Sequence, residues 1–71
     1  MVVEIISNIE APHVSGCEEY KCYRKDMKAC ITAAQNYISQ LTNKRITVVN
    51  VYIRNMFGKT LYKWEYRPTF R

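Results

Sequence analysis

One stretch of the chain repeats apolar residues with the period of an α-helix. Between Asp26 and Thr42, apolar residues recur at every third or fourth position, and polar residues occupy most of the positions between them. Asp26 suits the N-cap, because its short carboxylate can accept hydrogen bonds from the free N–H groups of the first turn. The pattern therefore predicts one amphipathic helix over residues 26–42. Its apolar stripe consists of Met27, Cys30, Ile31, Ala34, Ile38 and Leu41.

The other segments alternate apolar and polar residues with the period of β-strands. Four strands are predicted, at residues 2–9, 17–24, 46–54 and 59–67. The first two are separated by a loop at residues 10–16, and the last two by a four-residue loop in which Gly58 supplies a positive φ. The order ββαββ predicts one α+β domain over residues 1–71, a four-stranded antiparallel sheet with the helix packed on one face.

The short loop at residues 55–58 also predicts a register for the last hairpin. The predicted opposite pairs are Arg54 with Lys59, Ile53 with Thr60, Val51 with Tyr62, Val49 with Trp64, and Thr47 with Tyr66. Because side chains alternate between the two faces of a strand, all but the first of these pairs share one face, on which the helix would lie. The aromatic members of that face are predicted to be core rather than a platform for stacking bases.

A single helix covers only one face of such a sheet, so the opposite face is predicted to be a contact surface. Its mixture of residues is more apolar than a solvated face requires. A homodimer formed through this face is an alternative, since it would supplement the thin core of a chain of 71 residues. The predicted residues of this face are Ile6, Tyr23, Val48, Tyr52 and Leu61, with Lys21, Asn50, Arg54, Lys59, Lys63, Glu65 and Arg67.

The positive charge is concentrated in the second part of the chain. Residues 1–42 contain four basic and five acidic side chains, whereas residues 43–71 contain seven basic side chains and one acid. A surface weighted in this way attracts polyanions such as nucleic acid, an anionic membrane or an acidic protein patch; a solvated basic face that aids solubility is the alternative. Partner or phosphate binding is predicted for Lys44, Arg45, Tyr52, Arg54, Lys59, Lys63 and Arg67.

Residues that could carry catalysis are sparse. The chain has one histidine, and no catalytic triad, closely spaced carboxylate pair or glycine-rich phosphate loop stands out. We therefore expect a protein without enzymatic activity and without a cofactor. Zinc is the alternative, because four ligand-type residues fall close together, although they lack the C-x2-C spacing of most structural sites. The candidate zinc ligands are His13, Cys17, Cys22 and Cys30.

The hydropathy pattern also bears on membranes. No apolar run approaches the roughly 20 residues of a membrane span. The first residues lack the basic region and the apolar region of a signal peptide. We therefore expect a cytoplasmic protein without a membrane partner.

Four features together carry a resemblance: a first strand at residues 2–9, a short second strand, a helix with an alanine-rich face (Ala29, Ala33, Ala34), and a final hairpin containing Trp64. This arrangement resembles small phage and mobile-element proteins that disable host machinery, especially a short anti-CRISPR type acting on type I-F surveillance complexes. The resemblance implies a non-enzymatic inhibitor that binds a host protein or ribonucleoprotein complex and blocks target DNA. The alternatives are a direct DNA- or RNA-binding accessory protein and a small zinc-stabilised interaction module.

Overall fold

The computed structural model describes residues 1–11, 14–42 and 45–68. The elements are β1 (Val2–Ala11), β2 (Val14–Tyr23), α1 (Met27–Ser39), β3 (Ile46–Arg54) and β4 (Thr60–Tyr66). The four strands form one antiparallel sheet in the order β2-β1-β3-β4. The predicted ββαββ order and the α+β class are therefore confirmed.

The helix begins where its capping residue predicts. The Asp26 carboxylate accepts a hydrogen bond of 2.8 Å from the Ala29 N–H, which satisfies one free donor of the first turn. The helix ends at Ser39, three residues before the predicted end. The backbone tightens there, because the Leu41 N–H donates to the Ile38 carbonyl at 3.2 Å, three residues back. Leu41 still packs against the core from outside the helix.

The first hairpin is longer than the sequence pattern predicts. Glu10 pairs with Ser15 and Ala11 pairs with Val14, so most of the predicted loop at residues 10–16 is strand. Gly16 lies within β2 opposite Ile9. Ladder hydrogen bonds between neighbouring strands outweigh the weak β propensity of the glycine. Part of the predicted loop, Pro12 and His13, lies outside the described residues.

The loop of the second hairpin spans residues 55–59, one residue longer than predicted, because β3 ends at Arg54 and β4 begins at Thr60. The Asn55 Oδ1 atom accepts hydrogen bonds of 2.9 Å from both the Phe57 and the Lys59 N–H groups, and Gly58 has a φ of 83°. An asparagine that binds the backbone two and four residues ahead holds the loop in one conformation. The tip is therefore ordered although Met56 and Phe57 are exposed.

The predicted register of this hairpin is wrong by two residues. Val51 lies opposite Trp64 instead of Tyr62. One residue of this shift arises because Lys59 belongs to the loop, and the other arises because an irregularity leaves Leu61 without an opposite residue. Thr60 pairs with Arg54 rather than with Ile53. A shift of two preserves the face of every later side chain, so the aromatic residues of β4 remain on the helix side.

A second irregularity, between Asn8 and Ile9, changes which end residue of β3 enters the core. Ile9 pairs with Ile46, which is buried, whereas Thr47 is exposed. The prediction that Thr47 lies on the helix side is therefore wrong. The bulge rotates the start of β3 so that the larger apolar side chain is the one removed from water.

The core lies on one face of the sheet, between the two central strands and α1. The fully or almost fully buried apolar residues are Val3, Ile5, Cys30, Ala34, Ile46, Val49, Val51 and Ile53. The rings of Tyr20 and Tyr37 stack with centroids 4.6 Å apart, which joins β2 to the helix. Ser7 is also buried, and its hydroxyl has no hydrogen-bond partner among the described residues.

The aromatic residues of β4 lie at the margin of this core rather than beneath the helix. Trp64 and Tyr66 are half-buried, and Tyr62 is 40% exposed. The helix lies over β1 and β3, so β4 is only partly covered. The prediction that these three residues are covered core is therefore wrong for Tyr62 and only partly correct for the others.

Candidate binding surface

The face of the sheet opposite α1 is not covered by any described element. We call this surface the open face. It is formed by Val2, Glu4, Ile6 and Asn8 of β1, Cys17, Glu19, Lys21 and Tyr23 of β2, Val48, Asn50, Tyr52 and Arg54 of β3, and Thr60, Lys63 and Glu65 of β4. Most of these side chains on the two central strands are half-buried by their neighbours alone. The surface therefore combines partly desolvated apolar area with charged groups.

Four residues of the open face, near the end of the sheet that carries the β3–β4 loop, contact one another, and we call them the Tyr52 cluster: Glu4, Tyr52, Arg54 and Lys63. The Arg54 Nη1 atom donates to the Glu4 Oε2 atom at 2.7 Å. The same guanidinium lies 5.3 Å from the centroid of the Tyr52 ring, and the Lys63 Nζ atom lies 5.8 Å from it. Both distances are within the range of cation–π attraction.

The strand register assembles this cluster. Glu4, Tyr52 and Lys63 lie in one row across β1, β3 and β4, and Lys21 extends the row onto β2. Arg54 lies in the next row and reaches Glu4 along the diagonal. The Arg54 and Glu4 side chains are only 33% and 24% exposed, so water screens this ion pair less than a surface pair.

The structure brings together three of the predicted binding residues, Tyr52, Arg54 and Lys63. The remaining ones lie outside the Tyr52 cluster. Arg67 forms a salt bridge of 3.1 Å with Glu65, and both side chains are largely exposed. Arg45 lies at the other end of β3, where its carbonyl accepts a hydrogen bond from the Glu10 N–H.

Lys59 is exposed beside the β3–β4 loop, and Lys44 lies outside the described residues. The predicted set therefore does not form one patch in the described part of the chain.

Charges of opposite sign alternate over the open face. The cations Lys21, Arg54 and Lys63 are interleaved with the acids Glu4, Glu19 and Glu65. Two of these acids, Glu4 and Glu19, lie on β1 and β2. The charge count of residues 43–71 does not include them. The excess of basic residues in the second part of the chain therefore does not produce a uniformly basic face.

A shallow groove borders the Tyr52 cluster at the end of the sheet that carries the β3–β4 loop. Its volume is about 550 Å³. Apolar and charged side chains line it together: Val2, Glu4, Lys21, Arg54, Met56 and Thr60. The groove extends the open face toward the exposed loop tip, so one bound partner could contact both.

The three cysteines do not converge on one site. Cys17 belongs to the open face, whereas Cys22 faces the helix and Cys30 is buried on α1. Residues an odd number of positions apart on one strand point to opposite faces, which separates Cys17 from the other two. His13 lies outside the described residues, and no group of three or more possible metal ligands occurs within them.

Burial in the apolar core raises the pKa of the Cys30 thiol, and the N-terminal ammonium group opposes this shift only in part. We expect Ellman's reagent at pH 8 to modify the exposed Cys17 in the native protein and Cys30 only after unfolding. The pKa of Cys30 is higher in the folded state than in the unfolded state, so the neutral thiol contributes to the free energy of unfolding. This contribution is complete below the unfolded-state pKa of about 8.5, and it is lost as the pH rises further.

Denaturation at pH 7.5 and at pH 10 measures this loss as a difference in the free energy of unfolding. Cys30→Ala is the control, because it keeps every other titrating group. The free energy of unfolding of the Cys30→Ala variant should fall less between pH 7.5 and pH 10 than that of the wild type. An equal fall in both proteins would show that the Cys30 thiol does not contribute.

Comparisons with protein-family models, curated proteins and solved structures gave no match to this chain. Within the described residues, no helix is long and apolar enough to cross a membrane.

Proposed function

We propose that this protein is a non-enzymatic binding protein whose open face attaches to a host protein or ribonucleoprotein complex that handles nucleic acid. The Tyr52 cluster is the observation that supports this proposal. Tyrosine and arginine are among the residue types most often found where binding energy is concentrated, and here the two are in contact on an uncovered sheet face. The mixed apolar and polar surroundings resemble the core and rim of a protein interface.

The alternating charges favour a protein over a naked nucleic acid as the direct partner. Glu4 neutralises Arg54 at 2.7 Å, and Glu19 and Glu65 lie on the same face. Because these acids offset the cations of the face, a phosphate backbone would gain less net attraction there than on a uniformly basic face. A protein surface can supply both signs of charge in the complementary arrangement.

The biological role that we propose is inhibition. By occupying the surface of a surveillance complex, the protein would deny target DNA its binding site, as the resemblance to anti-CRISPR proteins of phages implies. This role requires neither catalysis nor a cofactor, and it places the protein in the cytoplasm of the host cell. Steric occlusion by a chain this small needs one strongly held contact, which the Tyr52 cluster would supply.

Direct binding to DNA or RNA is the second candidate. Tyr52 is half-buried beneath the two cations Arg54 and Lys63, and a base could stack in place of one of them. On this alternative the protein alone would shift a labelled single strand or duplex at low salt. The affinity would then fall steeply as the salt concentration rises.

The experiment that tests the proposal uses a purified type I-F surveillance complex and a labelled target duplex. The wild-type protein should lower the fraction of duplex bound by the complex, without shifting the duplex by itself. Tyr52→Ala removes the ring that both cations contact and should weaken this inhibition about 30-fold, the effect of losing one hot spot of about 2 kcal/mol.

Tyr23→Ala is the matched control, since it truncates another tyrosine of the open face that is 69% exposed on the edge strand β2. Its inhibition should change less than threefold, an effect of about 0.6 kcal/mol. Full inhibition by Tyr52→Ala would show that the open face is the wrong surface. A wild-type protein that shifts the duplex alone would favour the nucleic-acid candidate, and one without effect on the complex would exclude this target.

A further inference from the structure

The outer edge of β4 is not paired with any strand in the described part of the chain. This edge is seven residues long and contains no proline, and Leu61 and Tyr62 are 41% and 40% exposed. A row of unpaired N–H and C=O groups beside exposed apolar side chains is a template for another strand. The opposite edge, β2, carries Glu18, Glu19 and Lys21, and β4 carries Lys63 and Glu65, so the order of the charges rather than their number distinguishes the two edges.

The sequence of β4 is complementary to itself when it is read in the antiparallel direction. The two residues on each side of Trp64 match: Lys63 corresponds to Glu65, and Tyr62 corresponds to Tyr66. Opposite charges and aromatic pairs placed directly across from each other are the combinations that stabilise neighbouring antiparallel strands. The partner that fits this edge best is therefore a second copy of the same strand.

We propose that two copies of this chain pair through β4, antiparallel and centred on Trp64, to form one continuous eight-stranded sheet. Lys63 of each copy then lies opposite the partner's Glu65, and Tyr62 lies opposite the partner's Tyr66. A two-fold axis at Trp64, perpendicular to the sheet, relates the two copies. The contact is isologous and closes after two chains, so it does not propagate into a fibre.

This pairing also covers the aromatic surface that α1 leaves at the sheet margin. A groove of about 370 Å³ lies between the helix and β4. It is lined by Gln35, Ile38, Ser39, Leu41, Trp64, Tyr66 and Pro68. A two-fold axis perpendicular to the sheet maps each face of the sheet onto itself. Both helices therefore lie on the same side of the eight-stranded sheet, and the partner's Trp64 lies beside Trp64. The half-exposed rings of the two copies would then shield one another from water.

The dimer and the partner proposed for the open face share one residue of the Tyr52 cluster, Lys63, which lies over the Tyr52 ring. Glu65→Lys changes the dimer contact without altering that cluster. The dimer places the two open faces side by side on one surface of the sheet. A homodimer through the open face would cover that surface, whereas a homodimer through β4 leaves it accessible.

Sedimentation velocity of the untagged protein, from low micromolar to near-millimolar concentration, measures the dissociation constant. Lys63→Glu places two acids opposite each other, and Glu65→Lys places two bases opposite each other. Each substitution should raise the dissociation constant about tenfold, because two symmetry-related pairs change from attraction to repulsion. The emission of Trp64, the single tryptophan, should shift to shorter wavelength as the wild type associates.

Two rescue arms make the register itself testable. An equimolar mixture of Lys63→Glu and Glu65→Lys chains should form heterodimers with nearly wild-type affinity, because every acid again opposes a base. The double variant Lys63→Glu/Glu65→Lys should form homodimers for the same reason. Lys21→Glu, the same charge change on β2, is the control and should leave the dissociation constant unchanged.

The inference is overturned if the wild type remains monomeric at the highest concentration, if neither rescue arm recovers association, or if Lys21→Glu weakens association as much as Lys63→Glu. Circular dichroism of each variant separates loss of association from loss of the fold. The double variant has the composition of the wild type, so its behaviour cannot be attributed to a change in net charge.

Discussion

Ile5→Ala is expected to lower the free energy of unfolding by about 3 kcal/mol. Ile5 is fully buried on β1, an interior strand, with Tyr20 opposite it on one side and Val51 on the other. The truncation removes three carbon atoms beneath the helix, where neighbouring side chains on both strands limit collapse into the cavity. Urea denaturation followed by circular dichroism measures the loss, which is a large part of the stability of a domain this small.

Ile6→Ala is the matched control for that experiment. Ile6 is the next residue of the same strand but belongs to the open face, where it is half-buried. The same truncation there should cost about 1 kcal/mol, because the side chain already contacts water and leaves no enclosed cavity. Equal losses for the two variants would mean that the sheet is covered on both faces, which contradicts an accessible open face.

Ala34→Leu is expected to lower the free energy of unfolding by about 2 kcal/mol. Ala34 is 1% exposed on the face of α1 that packs on the sheet, beside the buried Cys30. A methyl group is the whole side chain at this position, so the helix can approach β1 and β3 closely. Three additional carbon atoms would force the helix away from the sheet or force neighbouring side chains out of their rotamers. The change should appear as a lower midpoint of thermal unfolding.

Ala33→Leu separates this packing effect from helix propensity, which the two substitutions share. Ala33 is half-buried and borders an open groove of about 430 Å³ between α1 and β2, next to Tyr20 and Tyr37. A leucine can extend into this groove, so the free energy of unfolding should change by less than about 0.5 kcal/mol. A cost equal to that of Ala34→Leu would place a different face of the helix against the sheet.

The helix shows what the sequence pattern could predict. Its period determines which residues share a face, so the pattern places Cys30 and Ala34 against the sheet before any tertiary contact is known. The cap at Asp26 is equally local, because the bond to Ala29 spans three residues. In the second hairpin the period of two keeps Trp64 and Tyr66 on the helix side even though the predicted register is wrong.

Long-range features of the candidate site could not be predicted in this way. The pair of Glu4 and Arg54 joins residues that are 50 positions apart, and it forms only because β1 lies beside β3. Alternation assigns each side chain to a face but does not specify which strands are neighbours. The bulge at Leu61 and the irregularity at Ile9 depend on how the strands twist together. The balance of acidic and basic residues on the open face could not be predicted either, because it also depends on which strands are neighbours.

The position of β1 within the sheet affects when the fold can form during synthesis. The first strand to leave the ribosome needs a neighbour on each side, and the second of these, β3, begins only at Ile46. Val2 pairs with Arg54, which lies 52 positions later in the chain, so this row of the ladder forms only after all of β3 has been synthesised. The entropic cost of closing so long a loop comes before the strand pairs stabilise the chain. Folding is therefore slow compared with that of helical domains of similar size. Until β3 emerges, one edge of β1 has no partner strand in the nascent chain.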